Sequence, residues 1–427
     1  MTERKQSIAI LGAGPIGLEA ALHARMLGYD VTVLEREGVA ENVRRWGFVR
    51  LFSPWSMNVS TLGLETLRSL GRPEPRADVC PTGREFHDEY LHPIAASLGD
   101  RIRTHTLVRG VARSSLLKGD NPGDRSRGRA PFRILLEDAT GVSDMAADIV
   151  IDATGVYGNP SCLGDGGIPA LGETTLRGFI DYQLPDVLGV DRLRFEGRAT
   201  LLVGAGLSAL TTLSSLVHLA RQAPSTRVIW ARRTTGPDPF PIYSEDPLPE
   251  RARLAVEGNQ LAAKPPPALQ VISGVTVGRL TPIQGKIRVE FRPVEGGGIA
   301  RAIEVDRIVA QVGFRPDLEV FRELQVHQCY ATEGPMALAA ALPGASGRDC
   351  LKQKSPGVET LRNPEPGFFV VGQKSYGRRN DFLLRVGREQ VRGVFGLLEG
   401  SFAAKIHDTS GATLEGVTAS ARGGPRA

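Results

Sequence analysis

Cysteine is scarce in this chain of 427 residues: Cys80, Cys162, Cys329 and Cys350 lie far apart, with no C-x-x-C pair and no histidine at zinc-ligand spacing. That excludes a disulfide scaffold and a structural metal site, leaves no metal ligand set to propose, and makes a reducing cytoplasm the default setting. Long apolar runs are also missing. No window offers about 18 uninterrupted apolar residues, so no membrane span is expected. A secretory signal is not expected either, because the apolar stretch after the polar Met1 to Ser7 is broken by Gly12, Gly14, Pro15, Gly17 and Glu19. Charge of one sign is lacking as well, since 52 Lys and Arg against 47 Asp and Glu leave +5. Part of that surplus is local to Lys118 to Arg133, which rules out a basic stripe that coats nucleic acid. What the chain does have is 50 glycines, and enough apolar material, 41%, for the cores of two or three domains.

The glycines mark an internal repeat. Ser7 to Leu11 reads as a strand, Gly12-Ala-Gly14-Pro-Ile-Gly17 as a turn, the residues to about Leu27 as a helix, and Asp30 to Glu35 as a second strand. The same order returns as Ala199 to Val203, Gly204-Ala-Gly206-Leu-Ser208-Ala209, a helix through Leu219, and Arg227 to Arg233. A second pair of segments matches too. Asp148 to Gly155 and Asp306 to Gly313 each run from an aspartate through a short apolar strand to a glycine, with Pro160 and Pro316 beyond. Between these landmarks, Lys118 to Ala130 reads as a charged loop, Gly236 to Pro249 as a proline-rich one followed by a helix over Glu250 to Ala263, and residues 399–427 as a flexible tail.

In a G-x-G-x-x-G turn, the first glycine permits the bend and the second lets backbone N–H groups approach a pyrophosphate. The third lets helix and strand pack closely, and the helix N-terminus adds partial positive charge. The residue that closes the following strand selects the nucleotide. Glu35, eighteen positions after Gly17, suits a ribose diol, as FAD or NAD requires. At the equivalent place in the second copy stand Arg232 and Arg233, whose forked donors suit a 2'-phosphate, so NADPH is favoured over NADH.

These residues resemble the two-dinucleotide-binding-domain flavoproteins, and among them the flavin-containing and N-hydroxylating monooxygenases. The resemblance covers about Ser7 to Leu398 and rests on both glycine turns, on Asp152-Ala153-Thr154-Gly155, and on Gly367-Phe-Phe-Val-Val-Gly372. It implies an α/β fold of two Rossmann-like domains, with the NADPH domain (161–316) inserted into a discontinuous FAD domain (1–160 and 317–398). FAD would be held by Gly12, Gly14, Gly17, Glu35, Arg36, Trp46, Val108, Ala153, Thr154, Gly155, Gly372 and Gln373. NADPH would be held by Gly204, Gly206, Ser208, Ala209, Arg232 and Arg233. An aromatic-rich loop would line the flavin, giving Ser53, Trp55 and Asn58 as candidate catalytic residues. Lys374 and Tyr376 would stand before a helix that points its N-terminus at the flavin pyrimidine.

The chain also departs from that family. Gly178-Phe179-Ile180-Asp181-Tyr182 stands where the monooxygenase fingerprint carries a histidine, Gln373 stands where disulfide reductases carry an aspartate, and no redox cysteine pair exists. Three functions follow. The leading one is an NADPH-dependent flavoprotein monooxygenase that works through a flavin C4a-hydroperoxide on an amine or sulfur of a small molecule. The second is an FAD- and NADPH-dependent oxidase or dehydrogenase that transfers electrons only, and the third a catalytically silent nucleotide sensor. A homo-oligomer is compatible with each.

Overall fold

The computed structural model describes residues 5–294, 301–342, 351 and 356–400. Cys350 and most of the expected tail lie outside the described residues.

Two parallel sheets of five strands carry the duplication. In the first, the order is Phe368–Val370, Ile149–Asp152, Ser7–Leu11, Asp30–Leu34 and Ile102–Arg103. In the second it is Ile180–Asp181, Arg307–Ala310, Ala199–Val203, Arg227–Arg232 and Leu269–Ser273. The central strands read as unbroken apolar runs because both faces are covered, as parallel sheets require. The arrangements match position for position, apart from the origin of the outermost strand. The first sheet takes it from far downstream (Phe368–Val370), the second from just upstream (Ile180–Asp181).

Each half also contains a three-stranded antiparallel meander: Leu107–Arg113, Phe132–Asp138 and Gly141–Ala147 in the first, Val275–Ile283, Lys286–Pro293 and Arg301–Val305 in the second. The paired aspartates of the sequence pattern have the same task in both halves. Asp148 accepts bonds from the Ser7 backbone N–H and hydroxyl, both at 2.8 Å, and Asp306 accepts the Ala199 N–H at 2.7 Å. Each carboxylate thus ties the start of the central strand to the strand beside it.

Two short chain segments join the halves. Ser161 N–H donates to Gly313 O at 2.9 Å, Arg315 N–H donates to Asn159 O at 2.9 Å, and the Tyr157 and Phe314 rings meet edge-on at 4.8 Å. Phe52 of the first half packs against the core of the second.

The loop expected from Lys118 to Ala130 is not a free charged loop. It closes around Glu365, which is fully buried. Arg113 Nε and Arg127 Nη2 donate to the Glu365 carboxylate at 2.8 and 2.9 Å, and the Gln325 N–H donates at 3.0 Å. Arg127 also donates to the carbonyls of Leu117 and Asp120. Buried charges persist only when paired and fully hydrogen-bonded, and here a single carboxylate organises a loop whose composition reads as solvated.

Candidate active site

The first glycine turn has three distinct glycine roles. Gly12 has φ +97°, a backbone state that side-chain-bearing residues seldom adopt. A Cβ on Gly17 would fall 1.9 Å from the Gly12 carbonyl oxygen, so helix and strand can pack only because it is absent. A Cβ on Gly14 would meet nothing within 4 Å, so that position borders open space. The helix that follows, Pro15–Met26, has no side-chain cap. Its first N–H groups are therefore left to an external acceptor, the arrangement that binds phosphate.

Glu35 turns toward this bend. Its Oε2 accepts the Ala13 N–H at 2.8 Å and its Oε1 the Glu37 N–H at 3.1 Å, which fixes the carboxylate over the turn with lone pairs to spare. Around it, Arg36 is exposed and lies against Gly158, while Val108 faces the apolar core beneath. Trp46 covers Gly83, and its indole Nε1 is buried with no partner among the described residues. A buried donor without an acceptor costs about 1–3 kcal/mol, and a bound group with acceptors near Trp46 would remove that cost.

Ala153 and Thr154 also lie at the turn, since a Cβ on Gly12 would contact Ala153 O and Thr154 Cα, and Gly155 follows them at φ +67°. Thr154 donates from both its N–H and its hydroxyl to Asp152 Oδ1. Lys374, expected before a helix at the flavin, has a structural task that the sequence does not show. The lysine is fully buried: its Nζ donates to Asp152 Oδ2 at 2.6 Å and to Thr154 Oγ1 at 3.0 Å. It joins the segment after strand Phe368–Val370 to the end of strand Ile149–Asp152. A lysine within a Gly/Ser/Tyr/Arg loop carries no local signal of burial.

Gly372, at φ +72°, donates its N–H to Gln390 Oε1, and Gln373 donates its amide to Arg379 O at 2.6 Å. The helix Leu384–Leu398 follows, with no side-chain cap. Tyr376 is buried and its hydroxyl has no partner among the described residues; desolvation pushes its pKa up to about 12, so the phenol stays neutral.

The candidate catalytic residues fare differently. Trp55 is core: it packs edge-on against Phe86 at 5.8 Å and Tyr90 at 6.4 Å. Asn58 is buried and its amide is consumed locally, with Nδ2 donating to the carbonyls of Ser53 and Pro54 and Oδ1 accepting the Ser53 hydroxyl. These contacts give Trp55 and Asn58 structural work in the packing around the first half. Ser53 is half-buried, and its hydroxyl is held by Asn58.

The second turn is built in the same way with one substitution. Gly204 has φ +139° and Gly206 borders open space. The third place is Ala209, whose Cβ would lie 3.3 Å from one built on Gly204. The helix Leu207–Gln222 again has no side-chain cap, and Ser208 is half-buried in its first turn. Beyond the following strand, Arg232 and Arg233 separate: Arg232 is 4% exposed, whereas Arg233 is exposed. Burial lowers the Arg232 pKa from its ordinary value.

Between the halves lies a cleft of about 360 Å³, lined in part by Arg36, Asn42, Tyr157, Arg177, Asp181 and Tyr182. Asn42 Oδ1 and Asp181 Oδ2 are buried there without a donor among the described residues.

Comparison with known proteins agrees with this geometry. The profile of the pyridine nucleotide-disulphide oxidoreductase family matches residues 9–117. Among solved structures, bacillithiol disulfide reductase from Bacillus cereus superposes with a TM-score of 0.63 at 17% identity, covering 93% of this chain and 99% of that one. The ornithine N-hydroxylase of Kutzneria sp. 744 superposes with a TM-score of 0.62 at 14% identity, over 93% and 99%. The fold is that of the two-dinucleotide-binding-domain flavoproteins. A curated relative, flavin-containing monooxygenase FMO GS-OX-like 2 of Arabidopsis thaliana, is 23% identical over 250 residues, 55% of this chain. The chain spans half the length of that relative. No helix among the described residues is long and apolar enough to cross a membrane.

Proposed function

We propose that this flavoprotein-fold chain is an oxidoreductase that holds FAD on its first glycine turn and NADPH on its second. Its reaction on this reading is monooxygenation of an amine or sulfur in a small molecule, in the cytoplasm. The observation that carries the reading is the pair of open, uncapped cradles, each bordered by a residue of the charge its nucleotide needs. Bound FAD would supply two-electron chemistry with NADPH and with oxygen.

The chain's own residues have defined tasks. Gly14 and the first N–H groups of helix Pro15–Met26 cradle the pyrophosphate of FAD. Glu35, already fixed by Ala13 and Glu37, accepts hydrogen bonds from the adenosine ribose. Trp46 Nε1 donates to the bound group, and the Lys374–Asp152–Thr154 cluster keeps Ala153 to Gly155 at the turn. Gly206 and helix Leu207–Gln222 cradle the pyrophosphate of NADPH, and Arg232 answers its 2'-phosphate.

The test is spectroscopic. Purified protein reconstituted with FAD should bleach on anaerobic addition of NADPH, and much more slowly with NADH. A preparation that takes up no FAD refutes the reading.

A second reading, electron transfer without oxygen insertion, draws support from the missing histidine in Gly178 to Tyr182 and from the inward-turned Asn58 amide. Stoichiometry separates the two. A monooxygenase consumes NADPH and O2 in step with product, whereas an oxidase releases peroxide in proportion to NADPH.

A further inference from the structure

Arg232 differs from the other deeply buried arginines of the described residues. Arg113, Arg127 and Arg251 each face a carboxylate. Arg232 is 4% exposed and has no carboxylate partner among the described residues, and its Nη1 is buried with no acceptor. Burying an unpaired guanidinium is strongly unfavourable. Such an arrangement is retained where an anion completes it.

The rest of the side chain is immobilised. Arg232 Nε donates to Ser273 Oγ at 2.9 Å, and the two residues are register partners on neighbouring parallel strands. The guanidinium carbon lies 5.5 Å from the centre of the Trp230 ring, two residues back on the same face of the strand. Trp230 is fully buried, stacks on Phe240 at 6.1 Å, and donates its indole N–H to Gly204 O at 2.7 Å. One aromatic ring therefore touches both the glycine turn and the guanidinium, fixing the distance between the pyrophosphate cradle and the cation.

We propose that Ser273 is a positioning residue for coenzyme choice: it engages Nε of Arg232 so that the end of the guanidinium is kept for a ribose 2'-phosphate. The proposal rests on the NADPH reading above and refines it, because Arg233, exposed beside it, then sits at the rim and contributes little to selectivity. A serine hydroxyl suits the role. It accepts one N–H, brings no charge of its own, and leaves the cation's charge to the ligand. A carboxylate at 273 would neutralise Arg232 and repel the phosphate.

The experiment uses the full chain and two ligands that differ only in the recognised group, adenosine 2',5'-bisphosphate and 5'-AMP. Dissociation constants for both are measured by calorimetry for the wild type, Ser273→Ala, Ser273→Thr and Arg233→Ala. The wild type should prefer the bisphosphate. Ser273→Ala should lose about tenfold in affinity for the bisphosphate with 5'-AMP unchanged, Ser273→Thr should restore it, and Arg233→Ala should change it less than threefold. Two results overturn the assignment of Ser273: Ser273→Ala keeping the wild-type preference, or losing both ligands equally. A wild type that binds both ligands alike overturns the NADPH reading and this proposal with it. Because Ser273 is itself exposed at a strand end, the alanine variant should fold and melt cooperatively, with a Tm lowered only modestly by the Arg232 Nε left without its acceptor.

Discussion

Single atoms decide what each glycine of the first turn does, and the three should fail differently. Gly17→Ala would push a methyl group onto the Gly12 carbonyl at 1.9 Å, so it should destabilise the fold itself, with a large loss of Tm whether or not flavin is present. Gly14→Ala meets no protein atom. It should leave the Tm of the flavin-free protein within about 2 °C, in keeping with a surface change of roughly 0.5 kcal/mol or less. Its effect should fall on FAD, with flavin content per protein after dialysis dropping several-fold. Melting curves of the apoprotein and the ratio of 450 to 280 nm absorbance measure the two effects separately. If Gly14→Ala keeps full flavin, the cradle is not where the pyrophosphate lies. Lys374 is the opposite kind of residue. Lys374→Met would strand the Asp152 carboxylate in the core, which should cost about 3–5 kcal/mol, read as a lower urea midpoint with unchanged slope. Asp152→Asn combined with Lys374→Met removes both charges and should recover part of that loss.

Elements built by short-range patterning were legible in the sequence, and those built by long-range pairing were not. Strand, glycine turn, helix and strand follow from periodicity and turn chemistry within about 30 residues, so both copies stand where the spacing puts them. The helix over Glu250 to Ala263 appears as Pro249–Ala263 for the same reason. The region from Lys118 to Ala130 carries no such signal. Its order comes from Glu365, more than 230 residues away along the chain. Trp55 follows the same rule, since the rings it packs on, Phe86 and Tyr90, come from a later segment, whereas Asn58 bonds to the carbonyls of Ser53 and Pro54 just before it, a local contact that hydrophobic periodicity does not register.

Glu365 gives that loop a pH dependence whose sign is fixed. Desolvation alone would raise its pKa, but hydrogen bonds from Arg127 and Arg113 outweigh it and hold the carboxyl below its ordinary value. A carboxyl depressed in the folded state contributes its full stabilisation above the unfolded pKa of about 4.3. That contribution fades as pH falls through the lowered folded value. Glu365→Gln should therefore be strongly destabilised near pH 7, with early proteolysis between Lys118 and Arg129. The gap from the wild type should narrow in acid below about pH 4. A gap that stays constant down to pH 3 would show that folding does not lower the Glu365 pKa.

At the scale of the whole molecule, the differing origin of the outermost strands makes the halves unequal. Everything the second sheet needs lies between Ile180 and Ala310, and its two apolar clusters draw their buried residues from Leu163 to Ala310. The first sheet is incomplete without Phe368–Val370. Its clusters also take in Phe321, Leu324, Val391, Val394 and Phe395, and its buried Asp152 and Arg113 find Lys374 and Glu365 only on the downstream segment. The domain division we propose, 161–316 inserted between 1–160 and 317–398, therefore predicts unequal fragments. Residues 161–316 expressed alone should melt cooperatively by circular dichroism and bind adenosine 2',5'-bisphosphate without flavin. Residues 1–160 alone would leave Asp152 and Arg113 without counter-charges and one face of the central strands uncovered, and should unfold or aggregate. A cooperative transition in fragment 1–160, or none in 161–316, would place the domain boundary elsewhere. Fusing 1–160 directly to 317–398 through a short glycine linker should restore folding and FAD uptake, because Asn159 and Arg315 are already hydrogen-bonded neighbours where the chain leaves and re-enters that half.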